Sequence, residues 1–343
     1  NGDVSGNHNG SLDYWIVKLD SAGIIEWQKS LGGSADDTGF SIKQTTDDGY
    51  ILIGTARSND GDVSGNNGNV DIWVVKLTNS GVIEWQNAVG GEHLDAGSDI
   101  FETADGYIAC GHTGSHNSGD VTGHHGSLDC WVLKFNKIGD LLWQKTLGGS
   151  NADYGQNIIQ TRDGMYVVVG TTKSKDGDVT GNNGIQVAWV VKLSESGDLI
   201  WQKTLGGTEG EYGASIQQTS DLGYIMAGYA WSDDGDVSGV HGDNDFWVVK
   251  LSPETISAEE SPASQINHLD IYPNPAQQYA YLNLAAYETP LNVMITDLLG
   301  REVSRQSISD NGRLELAFLP KGMYFLSAQS ASGKWYAGKV RKE

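Results

Sequence analysis

The residues best suited to chemistry form a repeated loop, Asp-Gly-Asp-Val-Ser/Thr-Gly. It occurs with Asp60, Asp62 and Ser64, with Asp176, Asp178 and Thr180, and with Asp234, Asp236 and Ser238. Oxygen-bearing residues at positions 1, 3 and 5, followed by glycine at 6, are what the first half of an EF-hand-type calcium loop requires. Asp71 and Asp245 fall at position 12, where such a loop places its last ligand. Another copy has Ser118 at position 1, Val187 takes position 12 in the Asp176 copy, and the last oxygen is Asp rather than Glu. These residues are the candidate calcium ligands. The competing reading is an Asx-rich turn linking structural units, in which Asp and Ser bond nearby backbone.

A second set of acids, Asp37, Asp95, Asp153 and Glu211, follows a Gly-Gly pair, each two residues before another glycine. A glycosidase needs one acid and one base in different environments, and four equivalent copies do not supply that asymmetry. Turn capping is the expected role. His8, His124, His125 and His241 share a loop slot that other copies fill with Asn66-Asn67 or Asn182-Asn183, residue types that tolerate left-handed backbone. His93, His112 and His116 break the repeat and could gather near Asp95 as a metal site. Tyr229 and Trp231 replace Thr55 and Arg57, or Thr171 and Lys173. With Asp243 they are the candidate sugar-binding residues, aromatic faces for stacking and a carboxylate for hydroxyls. Cys110 and Cys130 replace apolar or aromatic residues of other copies and are expected as buried free thiols.

The elements that position these residues come from one repeat. Trp15, Trp73, Trp131, Trp189 and Trp247 are spaced 58 residues apart, each within a near-copy of W-V-V-K-L. Trp27, Trp85, Trp143 and Trp201 keep the same period and open W-Q, and the tryptophans of both series are expected in the blade cores. Short glycine-ended turns between the two series predict a hairpin. Two further alternating segments, such as Phe40 to Thr45 and Tyr50 to Gly54, are joined through Asp48-Gly49, a second hairpin signal. Four short strands per repeat without helical periodicity predict a β-propeller blade. The segment Leu19 to Trp27 is similar to the tryptophan-docking repeat of quinoprotein propellers. Residues 1–251 then hold four complete blades and a fifth copy of the first strand, expected to complete a blade begun upstream in an N-terminally truncated propeller. An open or self-closed four-blade form is the alternative.

Residues 252–266 are polar, with two prolines, and predict a linker. Residues 267–343 change composition and predict six or seven short strands, a small Ig-like β-sandwich. Within them Tyr272-Pro273-Asn274-Pro275, then Val293 to Arg301 with Asp297 and Gly300, then Leu319 to Phe325 with Gly322 and Tyr324, then Gly338-Lys339-Val340 form an ordered set. This set resembles the type A C-terminal sorting domain of type IX secretion cargo of Bacteroidota. The resemblance implies export through the periplasm and outer membrane by the type IX machinery. It also implies removal of the domain by a sortase-like protease, expected near residues 252–267, and release or surface attachment of the product.

The composition bounds the rest. Of 343 residues 44 are acidic and 22 basic, and a net charge of −22 argues against nucleic acid as partner. No apolar run reaches the length of a membrane-spanning helix. With 11 Trp and 14 Tyr the chain can bury ordered cores. The expected function is a secreted or surface-attached propeller that binds a glycan or cell-surface protein, with calcium as the candidate cofactor. The alternatives are a carbohydrate-active enzyme, hydrolase or lyase, and a structural spacer array.

Overall fold

The computed structural model describes residues 12–253, 267–282, 291–297, 302–308, 312–330 and 335–343. The chain divides into two units, Asn1–Pro253 and Glu254–Glu343, and every regular element among the described residues is a β-strand.

The first unit begins with a two-stranded sheet, β1 (Tyr14–Leu19) and β2 (Ile25–Leu31). Three four-stranded antiparallel sheets follow: β3 (Asp37–Gln44), β4 (Tyr50–Ala56), β5 (Asp71–Leu77) and β6 (Ile83–Val89); β7 (Asp95–Glu102), β8 (Gly106–Thr113), β9 (Asp129–Asn136) and β10 (Leu141–Leu147); β11 (Asp153–Gln160), β12 (Tyr166–Thr172), β13 (Val187–Leu193) and β14 (Leu199–Leu205). The last sheet has three strands, β15 (Glu211–Gln218), β16 (Tyr224–Ala230) and β17 (Asp245–Leu251). All seventeen strands match segments of the repeat. They group half a repeat out of step with the sequence expectation, the last two strands of one repeat joining the first two of the next. The Asp-Gly-Asp loops therefore lie within sheets, between β4 and β5 and their equivalents, and do not link one sheet to another.

Each hairpin has a local cause. Between β1 and β2, Gly23 takes φ 81° and Asp20 Oδ1 accepts the Ala22 and Ile24 N–H groups at 2.8 and 2.9 Å. Between β3 and β4 the left-handed position falls on Asp48, φ 65°. The W-V-V-K-L tryptophans Trp73, Trp131 and Trp189 are fully buried, and a buried indole N–H needs an acceptor. Gln86, Gln144 and Gln202 of the W-Q segments provide it across the strand pair, at 2.7, 2.6 and 2.8 Å. The W-Q tryptophans themselves were expected in the core and are only half-buried. Trp85 packs over Gly139 and Trp143 over Gly197, latching one sheet to the turn of the next.

The core consists of successive layers between sheets. Ile51, Ile53, Ile72 and Val74 pack on Ile100, Trp131 and Leu133; Cys110, Cys130 and Val132 pack on Ile158, Trp189 and Val191; Val169 and Ala188 pack on Ile216 and Met226. The strands β3, β7, β11 and β15 contact one another in series. Among the described residues of this unit, burial falls off at the two ends of the series. Ile42 is 45% exposed, although its equivalents Ile100, Ile158 and Ile216 are at most 2% exposed. At the other end Phe246 is 78% and Val248 50% exposed, where Ala188 and Val190 are fully buried.

The second unit packs β18 (Asn267–His268), β25 (Trp335–Lys342), β24 (Gly322–Ser330), β21 (Leu291–Thr296) and β22 (Glu302–Ile308) as one sheet. Its second sheet is β19 (Ile271–Tyr272), β20 (Tyr279–Leu282) and β23 (Arg313–Glu315). The core between them includes Leu269, Leu282, Val293, Ile295, Leu314, Leu326 and Val340. This is the expected sandwich, with β22 as a strand the sequence pattern did not reveal.

Candidate functional site

The Asp-Gly-Asp loops fasten one turn to another. Asp60 Oδ1 accepts the Ser34 N–H at 2.7 Å and Asp62 Oδ2 the Gly32 N–H at 3.2 Å. Asp176 and Asp178 do the same for Ser150 and Gly148, and Asp234 and Asp236 for Thr208 and Gly206. Ser118 substitutes for Asp at position 1 by accepting the Glu92 N–H at 3.0 Å. Position 5 is used as well. The side-chain amides of Gln86 and Gln202 donate to the hydroxyls of Ser64 and Thr180, which completes a chain from buried tryptophan through glutamine to loop. Ser238 is exposed in the last copy. At position 12, Asp71 accepts the Asn67 N–H at 2.7 Å, and Asp245 takes the corresponding bond from His241. The oxygens proposed from sequence as one calcium loop are thus spent largely on backbone N–H groups. No group of three His, Cys, Asp or Glu side chains among the described residues is placed to hold a metal by itself.

The acids after the Gly-Gly pairs are buried and cap turns. Asp37 Oδ2 accepts from Gly33 N–H at 2.9 Å and from the Ser58 hydroxyl at 2.7 Å, and its Oδ1 from the Arg57 and Ser58 N–H groups. Asp95, Asp153 and Glu211 take the equivalent N–H bonds from Gly91, Gly149 and Gly207 at 2.7 to 2.9 Å. Burial raises the carboxyl of Asp153 above the usual range despite these bonds.

The histidine expectation changes. His93 and His116 approach with ring centroids 5.7 Å apart, and the third ring is His124, 4.4 Å from His116, rather than His112. His112 points elsewhere because it lies on β8 opposite Ala96. Its ring meets Tyr154 edge-on at 5.0 Å, and burial depresses its pKa to about 4. Both cysteines are buried and free, as expected, and burial pushes both thiols up.

The symmetry-breaking aromatics form a shelf. Tyr212 on β15 and Tyr229 on β16 are cross-strand partners, their rings stacked at 4.9 Å and 6°. Trp231 stands edge-on to Tyr229 at 5.0 Å and is 39% exposed. Tyr212 was not singled out from sequence, although its equivalents Thr38, Ala96 and Tyr154 show that the position varies. Asp243 is exposed in the loop before β17.

In the second unit the sorting motifs converge. Asn274 donates its Nδ2 to the Lys339 carbonyl at 2.9 Å and accepts the Arg341 N–H at 3.0 Å, so the Tyr-Pro-Asn-Pro segment is tied to the last strand. Gly338 admits this approach. A Cβ there would lie 2.8 Å from Ile271 and 2.9 Å from Leu269. Tyr272 is exposed, Pro273 and Pro275 both follow cis bonds, and the Tyr324 hydroxyl bonds the Pro320 carbonyl at 2.9 Å just after Gly322. Asp297 directly follows β21, and Gly300 lies outside the described residues, as do residues 254–266 where cleavage is expected.

Residues 270–340 match the family described as the secretion system C-terminal sorting domain. This chain carries a type IX sorting domain. It is therefore exported, to the medium or to the outer-membrane surface, by interaction with the secretion machinery. No helix of the described residues is long and apolar enough to cross a membrane. No curated protein matches the chain. Among solved structures it is similar to a mutant of the GH32 β-fructofuranosidase BmSUC1 of Bombyx mori in complex with sucrose, at 11% identity and TM-score 0.33. That match covers 92% of this chain and 78% of the other. It is also similar to the extracellular domains of BT4673 and BT3049 of B. thetaiotaomicron, both described as hybrid two-component systems. Identities are 10% and 11%, with TM-scores of 0.24 and 0.18. These matches cover 97% and 96% of this chain, which spans 54% and 66% of those two proteins.

Proposed function

We propose that the exported protein is a surface or secreted carbohydrate-binding module. A sugar ring stacks on the shelf of Tyr212, Tyr229 and Trp231, and the acidic loop with Asp243 bonds its hydroxyls. The observation that carries this reading is the aromatic shelf itself. Tyr229, stacked on Tyr212, and the partly exposed indole of Trp231 stand where Thr55 and Arg57, or Thr171 and Lys173, stand in other copies. Aromatic faces combine apolar contact with directional C–H contact to a sugar and lose little side-chain entropy. The sorting unit delivers the module, and a sortase-like protease cuts within residues 252–267, releasing or anchoring the binding unit. The test is a glycan array on the full chain, followed by calorimetry with each positive oligosaccharide. Trp231→Ala and Tyr229→Ala are expected to weaken binding at least tenfold. Unchanged affinity in both variants, or no glycan bound at all, would remove the proposal.

A further inference from the structure

In three successive sheets, carboxylates surround one glycine. At Gly90 a Cβ would lie 2.5 Å from Asp71 Oδ1 and 2.6 Å from Asp95 Oδ2, and the Gly90 N–H donates to Asp120 Oδ2 at 3.2 Å. At Gly32 the same distances are 2.6 Å to Asp13 Oδ1 and 2.7 Å to Asp37 Oδ2, and Asp62 Oδ2 accepts the N–H at 3.2 Å. At Gly148 Asp178 accepts the N–H and a Cβ would meet Asp153, and Asp129 holds the chain position equivalent to Asp13 and Asp71. Two oxygens that near one point lie within about 5 Å of each other, and two buried like charges at that separation repel strongly.

The first acid of each pair leaves the same atom over. Oδ1 of Asp13, of Asp71 and of Asp129 is buried with no hydrogen-bond partner, as is Oδ1 of Asp95, the second acid of the middle pair, and Asp71, Asp95, Asp129 and Asp153 have no exposed surface. The second oxygen of Asp71 takes the Asn67 N–H, and that of Asp129 takes the N–H and the ring of His125. No lysine or arginine among the described residues pairs with Asp71, Asp95 or Asp120. A buried carboxylate oxygen without a donor is costly, so a proton or a cation must answer it.

The last sheet supplies an internal control. There Val187 replaces the first aspartate and Glu211 the second. Glu211 keeps the backbone bond that the aspartates make, accepting the Gly207 N–H at 2.9 Å as Asp37, Asp95 and Asp153 accept theirs, and it leaves no buried oxygen without a partner. Valine has no oxygen to leave unmatched, so this copy lacks the paired carboxylates altogether.

We infer that the pairs Asp13–Asp37, Asp71–Asp95 and Asp129–Asp153 each hold a hard divalent cation, calcium in an extracellular medium. The unmatched Oδ1 is the principal ligand. The side chains supply two ligands rather than a full set, and calcium accepts main-chain and water oxygens for the remainder, which sets affinity in the millimolar range of extracellular modules. The site differs from the loop oxygens Asp60, Ser64, Asp176 and Asp234, and it is independent of the aromatic shelf.

The test is calorimetry with calcium chloride on the full chain, with terbium luminescence sensitised by tryptophan as a second readout. The expected stoichiometry is three per chain, two after Asp71→Asn, and none after Asp13→Asn, Asp71→Asn and Asp129→Asn together. Val187→Asp with Glu211→Asp should add a fourth site, and this gain is readable even if the triple variant does not fold. Asp60→Asn should leave the count at three. Absence of calcium binding at millimolar concentration would mean that protons neutralise the pairs, and it would overturn the inference. So would an unchanged stoichiometry in Asp71→Asn.

Discussion

His112 offers the most direct test of how this unit uses its irregular residues. Thr55 and Thr171 stand at the equivalent position, and His112→Thr restores the repeat. The imidazole is partly buried beside Tyr154, its Nδ1 has no partner, and burial lowers its pKa from 6.5 to about 4. The unfolded histidine takes up its proton near pH 6.5 and the folded one only near 4. Its contribution is therefore intact above pH 6.5 and is lost as pH falls through that window. At about 1.4 kcal/mol per pH unit the full difference is about 3 kcal/mol, and screening of the part of the ring that water reaches leaves about 2 kcal/mol. Urea unfolding followed by tryptophan fluorescence at pH 7.5 and pH 4.5 measures it, because the other titrating groups are common to both proteins. The stability of His112→Thr relative to wild type should rise by about 2 kcal/mol between the two pH values. The same difference at both would refute the reasoning and mean that the ring protonates freely in the folded state.

Two other perturbations probe the layers. Ile100 is fully buried between sheets and Ile42, its equivalent on β3, is 45% exposed. Ile100→Ala should cost about 3 kcal/mol and Ile42→Ala under about 1 kcal/mol in chemical unfolding, and equal costs would mean that the end face is covered in solution. Lys134 is buried, its ammonium 2.6 Å from the exposed carboxylate of Asp105. Asp105→Ala leaves that ammonium with the Thr103 hydroxyl but no carboxylate and should cost about 1–2 kcal/mol, more than Lys134→Met, which removes the charge altogether. A larger loss in Lys134→Met would reverse that account.

Much of the first unit was legible because its tryptophans recur at a fixed spacing and its turns end in glycine. The strands, hairpins and turn-capping acids followed from those residues. The grouping into sheets did not. The long connection 57–70 joins paired neighbours, whereas the short one at 32–36 crosses between sheets, and length alone favours the opposite assignment. The W-Q tryptophans were misplaced for a related reason. A tryptophan at a regular spacing reads as core, but its side chain covers a glycine of the next turn, a contact 52 or more residues away that no local pattern encodes. The sorting motifs were readable as a set, but the bonds from Asn274 to the last strand span some 65 residues and needed the fold.

The same limit explains what happened to the acidic loops. Spacing shows which oxygens are close along the chain, and Asp60, Asp62 and Ser64 have the order a calcium loop needs. Whether an oxygen is free depends on donors from other turns. Here the N–H groups of Gly32 and Ser34, and the amide of Gln86, already occupy those atoms. The oxygens left over belong to Asp13, Asp71, Asp95 and Asp129, and at Gly32 and Gly90 the paired acid comes from the following strand rather than from the same loop. Four copies in one chain then make the comparison that a single site could not. All four second acids bond a backbone N–H, but only the three copies that keep a first aspartate, where the last has Val187, also keep an oxygen with no donor. A purely structural cap would have no reason to leave that atom unmatched three times, and a cation site would.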